Sequence, residues 1–242
     1  MRIENDVPVV AVFGGNAASP DELAAACLLG AEIGRSDAVL LTGGDGSDPK
    51  TVKDAAILAA DDAATPDNPS AWVGVRNAPA AAAPEPRGPR AVVVTPGWRH
   101  WRNFVEACLC DAAITISGGP GTASEALFSL YLGRPVVIVG AASGAAMDAG
   151  ALRDAALQRI GYPRQPSLGV ELGISGTYAW ADNPDAHAEG APLPLHADSA
   201  ADLVIGLRSR ISNPSPRPDF DSLVDEATWD SYVRTALRDA GR

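Results

Sequence analysis

Residues 112–125 read Ala-Ala-Ile-Thr-Ile-Ser-Gly-Gly-Pro-Gly-Thr-Ala-Ser-Glu: a short apolar run, a glycine-rich turn and an acid three residues beyond Thr122. Gly118, Gly119 and Gly121 let the backbone approach an anion closely. Free N–H groups at the start of a following helix point at that anion with the positive end of the helix dipole. Thr122 adds a hydroxyl donor. The spacing predicts a phosphate site, set against the plainer possibility of an ordinary tight strand-to-helix connection. Glu125, placed in the first helical turn, is expected to aim its carboxylate at whatever the turn holds. Such a carboxylate can stabilise positive charge on a sugar ring or orient water. Its plainer role is to offset the helix dipole, worth about 0.3–1 kcal/mol. Upstream, Arg102 can offer a planar fork to a phosphate or a ribose hydroxyl, or stand plainly as a solvated helix residue.

Two other uses of glycine turns are excluded by the residues present. A lysine-bearing nucleoside-triphosphate loop needs Gly-Lys-Ser/Thr, and no lysine lies near Gly121. A dinucleotide fingerprint wants Gly or Ala where Ser124 stands and an acid ending the next strand, where Val139-Gly140-Ala141 has none. The chain holds two lysines, Lys50 and Lys53. Their expected place at a helix start, beside Gly43-Gly44, makes them candidates to hold an anion, against a solvated helix face. His100, His187 and His196 form no metal-ligand pair, and no metal site is expected. Cys27 and Cys108 read as small core residues, and Cys108 and Cys110 point different ways on one helix. Ser143 and Ser175 lack the glycines of a nucleophile elbow. Trp98, Trp101 and Trp180 read as packing before base stacking.

These residues need a frame. Short β-branched runs alternate with Ala/Leu-rich stretches, the pattern of an α/β protein whose parallel sheet carries helices on both faces. Strands are predicted at Val7–Phe13, Ala38–Leu41, Trp72–Val75, Ala91–Thr95, Ala112–Ile116 and Val136–Val139. Ser19-Pro20-Asp21-Glu22 predicts a capping box opening the first helix, with Leu23, Ala26, Cys27 and Gly30 on its packed face. A second helix is predicted from Asp48-Pro49 to Asp61, a third over Trp101–Cys110, and the helix behind the glycine turn ends at Gly133. The Pro/Ala-rich stretch 77–90 reads as a surface loop. Beyond Gly161 the regularity fades: Leu193–His196 is predicted as an edge strand, with helices over Ala200–Arg208 and Leu223–Leu237. The expected division is a domain over 1–161 and an extension over 162–242 packing on it.

Gly118-Gly119-Pro120-Gly121-Thr122-Ala123-Ser124-Glu125 matches the GGxGTxxE core of the LOG-like (lonely guy, lysine-decarboxylase-like) nucleotide-binding proteins. The resemblance extends through Arg102-Asn103, Asp111-Ala112-Ala113-Ile114, Gly133-Arg134-Pro135-Val136 and the Phe13-Gly14-Gly15-Asn16 and Thr42-Gly43-Gly44 turns, spanning about residues 7–140. It is closest to the subgroup that lacks the cytokinin-type arginine/lysine cluster and includes molybdenum-cofactor carrier proteins. The resemblance implies a modified Rossmann fold, a homodimer and a phosphorylated, nucleotide-like ligand. Enzymes of this family are nucleoside 5′-monophosphate phosphoribohydrolases, which cleave the N-glycosidic bond to base and ribose 5-phosphate. By position it implies catalytic roles for Arg102 and Glu125. It implies ligand or phosphate contacts for Gly14, Gly15, Asn16, Gly43, Gly44, Asn103, Gly118, Gly119, Gly121 and Thr122, with no cofactor required. The alternative is a non-catalytic carrier of a phosphorylated cofactor. Two departures bear on the substrate: Ser117 replaces the proline usual before the glycines in the cytokinin enzymes, and Asn103 is not followed by their lysine. The apolar side of the helix with Phe104 and Leu109, or of the helix after Gly121, is the expected dimer patch.

Composition narrows the remaining classes. Apolar residues make up 46% of the 242 residues and charged ones 20%, enough for a packed core. The formal charge of −11 repels phosphate backbones and anionic lipid, so neither nucleic acid nor membrane is an expected partner. Three cysteines form no disulfide scaffold and no signal peptide is read at the N-terminus, which points to the cytoplasm.

Overall fold

The structure, a computed structural model, describes residues 6–65, 71–77, 90–95, 99–140, 178–180, 183–191, 193–211, 214, 218 and 226–239. Most of the Pro/Ala stretch, Trp98, Ser143, Ser175 and the 161/162 boundary lie outside them. In chain order the elements are β1 (Val9–Gly14), α1 (Pro20–Arg35), β2 (Val39–Thr42), α2 (Val52–Ala63), β3 (Ala71–Asn77), β4 (Arg90–Thr95), α3 (Arg99–Leu109), β5 (Ala112–Ile116), α4 (Pro120–Tyr131), β6 (Val136–Val139), β7 (Tyr178–Trp180), β8 (Asn183–Ala191), α5 (Ala197–Ser209) and α6 (Glu226–Asp239).

The strands form one sheet in the order β4-β3-β2-β1-β5-β6-β8-β7, parallel throughout except for the β7–β8 pair. Central strands are buried on both faces, which is why β1, β2, β5 and β6 are continuous apolar runs with no polar alternation. Val10, Val12 and Leu40 pack towards α1, α2 and α5, where Leu29, Ile33, Ile57 and Val204 complete one core. Ala11, Phe13 and Leu41 face α3, α4 and α6, where Trp101, Phe104, Phe128 and Trp229 complete the other. Each Val, Leu, Ile or Phe among them contributes about 1.5–3 kcal/mol when fully buried. The chain leaves β1 towards one face and β5 towards the other. Their C-terminal ends therefore flank a topological switch point, the place where open α/β sheets hold ligands.

The capping box is formed: Glu22 N–H reaches the Ser19 hydroxyl at 3.4 Å, and Ser19 N–H reaches the Glu22 carboxylate at 2.6 Å. At the other end of the motif region Gly133 takes φ +73° just beyond α4, the left-handed stop expected there.

Several expectations are corrected. The second helix begins at Val52 with Thr51 as its N-cap, because Asp48 instead closes a turn that receives the Thr51 and Lys50 amides. The Leu193–His196 segment is not a strand; it leads into α5, and Pro194 has no N–H to give a ladder, so β8 and β7 form that side of the sheet. Cys27 is exposed, because the buried stripe of α1 runs through Ala25, Ala26, Leu29, Gly30, Ile33 and Gly34. The apolar side of α3 is not available as a free patch either. Helix α6 covers it with Trp229, Val233 and Leu237, and the Tyr232 hydroxyl donates to the Cys108 carbonyl at 3.1 Å. Trp101 is fully buried against Phe104, as packing requires.

Candidate functional site

Three helices from both faces of the sheet converge under the C-terminal ends of β1, β2 and β5. Helix α2 brings Lys53, α3 brings Arg102, Asn103 and Glu106, and α4 brings Glu125. The Arg102 Nη2 stands 3.1 Å from Glu125 Oε1, and Lys53 Nζ stands 3.5 Å from the same oxygen. Arg102 Nε lies 3.4 Å from Glu106 Oε1, one helical turn along α3. Neither carboxyl has exposed surface, whereas the Arg102 side chain keeps 18% and Lys53 10%. Burial raises the Glu106 pKa to about 8, opposed by Arg102 and Lys53 and reinforced by the facing Glu125 carboxyl. The Glu106 carboxylate in turn raises the Arg102 pKa, against burial.

Arg102 and Glu125, paired from the sequence, are thus brought together. The sequence places Glu125 in the first turn of its helix. It is the sixth residue of α4, in the second turn, where compensation of the dipole has faded. It faces cations instead. Asn103 is 2% exposed and spends its side chain on protein groups: Nδ2 donates to the Gly121 carbonyl at 3.2 Å and Ser124 Oγ at 2.6 Å, while Oδ1 accepts from Arg102. It holds the glycine turn and the guanidinium in register with each other. Arg102 Nη1 makes no hydrogen bond among the described residues.

The turn after β5 passes through two left-handed residues, Ser117 at φ +42° and Gly118 at φ +94°. A Cβ on Gly118 would run into the Thr122 side chain, which is buried beneath it. A proline, locked near −65°, does not fit at Ser117, whose amide also donates to the Val139 carbonyl at 2.9 Å. The departure at this position therefore carries a different turn geometry. Gly119 is the N-cap of α4 and provides no side-chain cap, while the Ser117 hydroxyl beside it donates to the Glu22 carboxyl. Gly15 lies across the switch point, its nearest Gly118 atom 3.8 Å from where a Cβ would stand, and Asn16 is exposed beside it.

The turn after β2 is built differently. Gly44 N–H donates to Thr42 Oγ1 at 2.9 Å, and the amides of Asp45, Gly46 and Asp48 all donate to the Asp54 carboxylate at 2.8, 2.8 and 3.2 Å. Gly43 lies directly over the charged cluster; a Cβ there would stand 2.8 Å from Glu106 Oε1. Lys50 is exposed and only Lys53 joins the cluster. The sequence reading missed Glu106 and Asp54. An acid four residues after Arg102 was a visible signal for the first, and an acid three residues after Thr51 for the second. Among the described residues no group of His, Cys, Asp and Glu is arranged to hold a metal ion, and no helix is long and apolar enough to cross a membrane.

The fold has known counterparts. The molybdenum cofactor carrier protein MCP of Chlamydomonas reinhardtii aligns with a TM-score of 0.51 at 20% identity, over 84% of this chain and 99% of that one. The molybdenum cofactor binding protein of the phototrophic bacterium Rippkaea orientalis gives 0.53 at 19%, over 84% and 98%. The structural-genomics target TM1055 gives 0.56 at 21%, over 83% and 99%. At these identities they show a shared fold. No curated protein matches the chain. A family model described as the SLOG cluster4 family matches residues 7–163, a stretch that contains both glycine turns and the whole charged cluster. This chain belongs to the SLOG cluster4 family, within the LOG-like superfamily.

Proposed function

We propose that this protein binds a phosphorylated, nucleotide-like small molecule at the switch-point crevice, with the phosphate over Gly118–Thr122 and within reach of Arg102. One observation carries this reading. The α4 N-terminus has no side-chain cap, and the neighbouring Arg102 Nη1 makes no hydrogen bond among the described residues. A helix start and a planar cation side by side suit a phosphate. Capture without chemistry, as by a carrier of a phosphorylated cofactor such as a molybdopterin, is favoured by the Glu125 carboxyl. It is wholly buried and its Oε1 is claimed by two cations, so it does not meet a ligand in this arrangement.

A second reading, hydrolysis of a nucleoside 5′-monophosphate, rests on the direct Arg102–Glu125 pair at 3.1 Å. A phosphate that draws Arg102 to itself removes one of the two cations from Glu125. The freed carboxylate is then available to stabilise positive charge on the sugar while water adds at the anomeric carbon and the base departs with a proton. Incubation with a panel of nucleoside 5′-monophosphates, with detection of free base and ribose 5-phosphate, separates the two. Turnover that falls about 10²-fold or more in Glu125→Gln while binding holds establishes the hydrolase. Phosphate-dependent binding with no product establishes the carrier, and absence of binding to both nucleotides and molybdopterin rejects the site.

A further inference from the structure

Glu106 is the member of the cluster for which neither reading has a use. Its side chain is sealed, and among the described residues neither carboxyl oxygen accepts a hydrogen bond. An ionised carboxylate left that way is costly, so the surroundings decide what it does. On its own helix it faces Arg102, whose Nε is 3.4 Å away. From α4 it faces the Glu125 carboxyl, and from α2 it feels the Lys53 ammonium. The turn after β2 contributes only the uncharged Gly43, which lies too close above Oε1 to admit a side chain. Two carboxyls meeting in a sealed space are stable together when one carries a proton. With Glu106 protonated, two cations face one carboxylate and the cluster has positive charge to offer an anion. With Glu106 ionised, two face two and none is left over.

We propose that Glu106 is a positioning residue that controls anion capture by Arg102 through its proton. Protonated, it leaves the guanidinium free to engage a phosphate; ionised, it holds the guanidinium back and cancels its charge. The inference rests on the phosphate-binding reading above. The raised Glu106 pKa of about 8 places the change just above neutrality. A bound anion makes the proton harder to remove, so capture at higher pH draws a proton from solution by linkage.

The experiment uses the whole protein with AMP, whose phosphate is a dianion from pH 7 upward, and inorganic sulfate as a non-titrating second probe. Calorimetric titrations from pH 7 to 9.5, in buffers of differing ionisation enthalpy, report affinity and proton uptake together. The expected result is a loss of affinity of about tenfold across this range for both anions, with proton uptake above pH 8, and neither in Glu106→Gln. A carboxylic-acid infrared band present at pH 7, lost by pH 9.5 and missing from Glu106→Gln is expected in the ligand-free protein. Flat wild-type affinity, an unchanged slope in Glu106→Gln or no such band overturns the proposal. If the band is present but neither anion binds at any pH, the phosphate-binding reading fails and takes the coupling with it, while the buried proton stands.

Discussion

After β2 the chain runs Thr42-Gly43-Gly44-Asp45-Gly46, and after β5 it runs Ser117-Gly118-Gly119-Pro120-Gly121-Thr122. As residue strings the two turns are close relatives, and both end at the same edge of the sheet. Their amides have different fates. In the first, the Thr42 hydroxyl and the Asp54 carboxylate take up four backbone N–H groups, and the Thr51 hydroxyl adds a further donor to Asp54 at 3.1 Å. In the second, the helix start has no side-chain cap, the Glu22 carboxyl meets the Ser117 hydroxyl at the edge of the turn, and Glu125 is turned inward to cations. Glycine lets a backbone approach an anion; whether that anion belongs to the protein or to a ligand depends on the acid at hand. Here the first turn carries its own carboxylate on three amides, and the helix start after the second has no side-chain cap.

The largest effect is expected from breaking the closed turn. Asp54→Ala removes a carboxylate that receives three amides and leaves them without an acceptor, at a cost of about 3–5 kcal/mol. Urea unfolding checks this, and a loss below about 1 kcal/mol would mean that water replaces Asp54 and that the two turns are alike after all. Gly118→Ala attacks the second turn, through its φ of +94° and the Thr122 side chain. It is expected to cost about 1–3 kcal/mol and to weaken AMP binding along with it. Stability falling while AMP affinity stays would place the phosphate elsewhere.

The charged cluster between the turns sharpens the contrast through pH. The folded-state pKa of Glu106, about 8, lies above its ordinary 4.5, so the folded protein binds this proton more tightly than the unfolded chain. Its contribution is fully present below the ordinary value and is lost as pH rises towards 8, at up to about 1.4 kcal/mol per pH unit. Denaturant titrations should show Glu106→Gln gaining on the wild type across that window; parallel curves would mean that Glu106 is ionised when folded. The smallest effect is expected from Lys50→Ala, within about 0.5 kcal/mol in stability and with AMP affinity unchanged, because Lys50 is exposed outside the cluster. A clear loss of affinity in that variant would bring the first turn back into the ligand site.

Legibility followed range of interaction. The Ser19–Glu22 box was readable because both partners lie within four residues and the bonds are local. The apolar runs of β1, β5 and β6 were readable because burial on both faces leaves no polar alternation. Helix α2 was misplaced at its start because Pro49 after Asp48 looks like a helix opening, whereas Thr51 caps Asp54 N–H at 3.1 Å and makes the real one. Strand β8, Asn-Pro-Asp-Ala-His-Ala-Glu-Gly-Ala, has little β propensity; pairing with β6 overrides it. The expectation of an open apolar side on α3 failed because its cover, α6, comes more than a hundred residues later in the chain.

By itself the sequence determined the parallel α/β order and the glycine turn after β5, since each depends on residue type at short spacing, whereas the interest in Arg102 and Glu125 together came from the family resemblance. Tertiary structure alone decided which turn receives a carboxylate on its amides, which lysine joins the charged cluster and that Glu106 shares a sealed space with Glu125. Those outcomes depend on α2, α3 and α4 meeting from opposite faces of one sheet. Whether a carboxyl keeps its charge or takes a proton is set by the company and the water it has there, and neither is written in its neighbours along the chain.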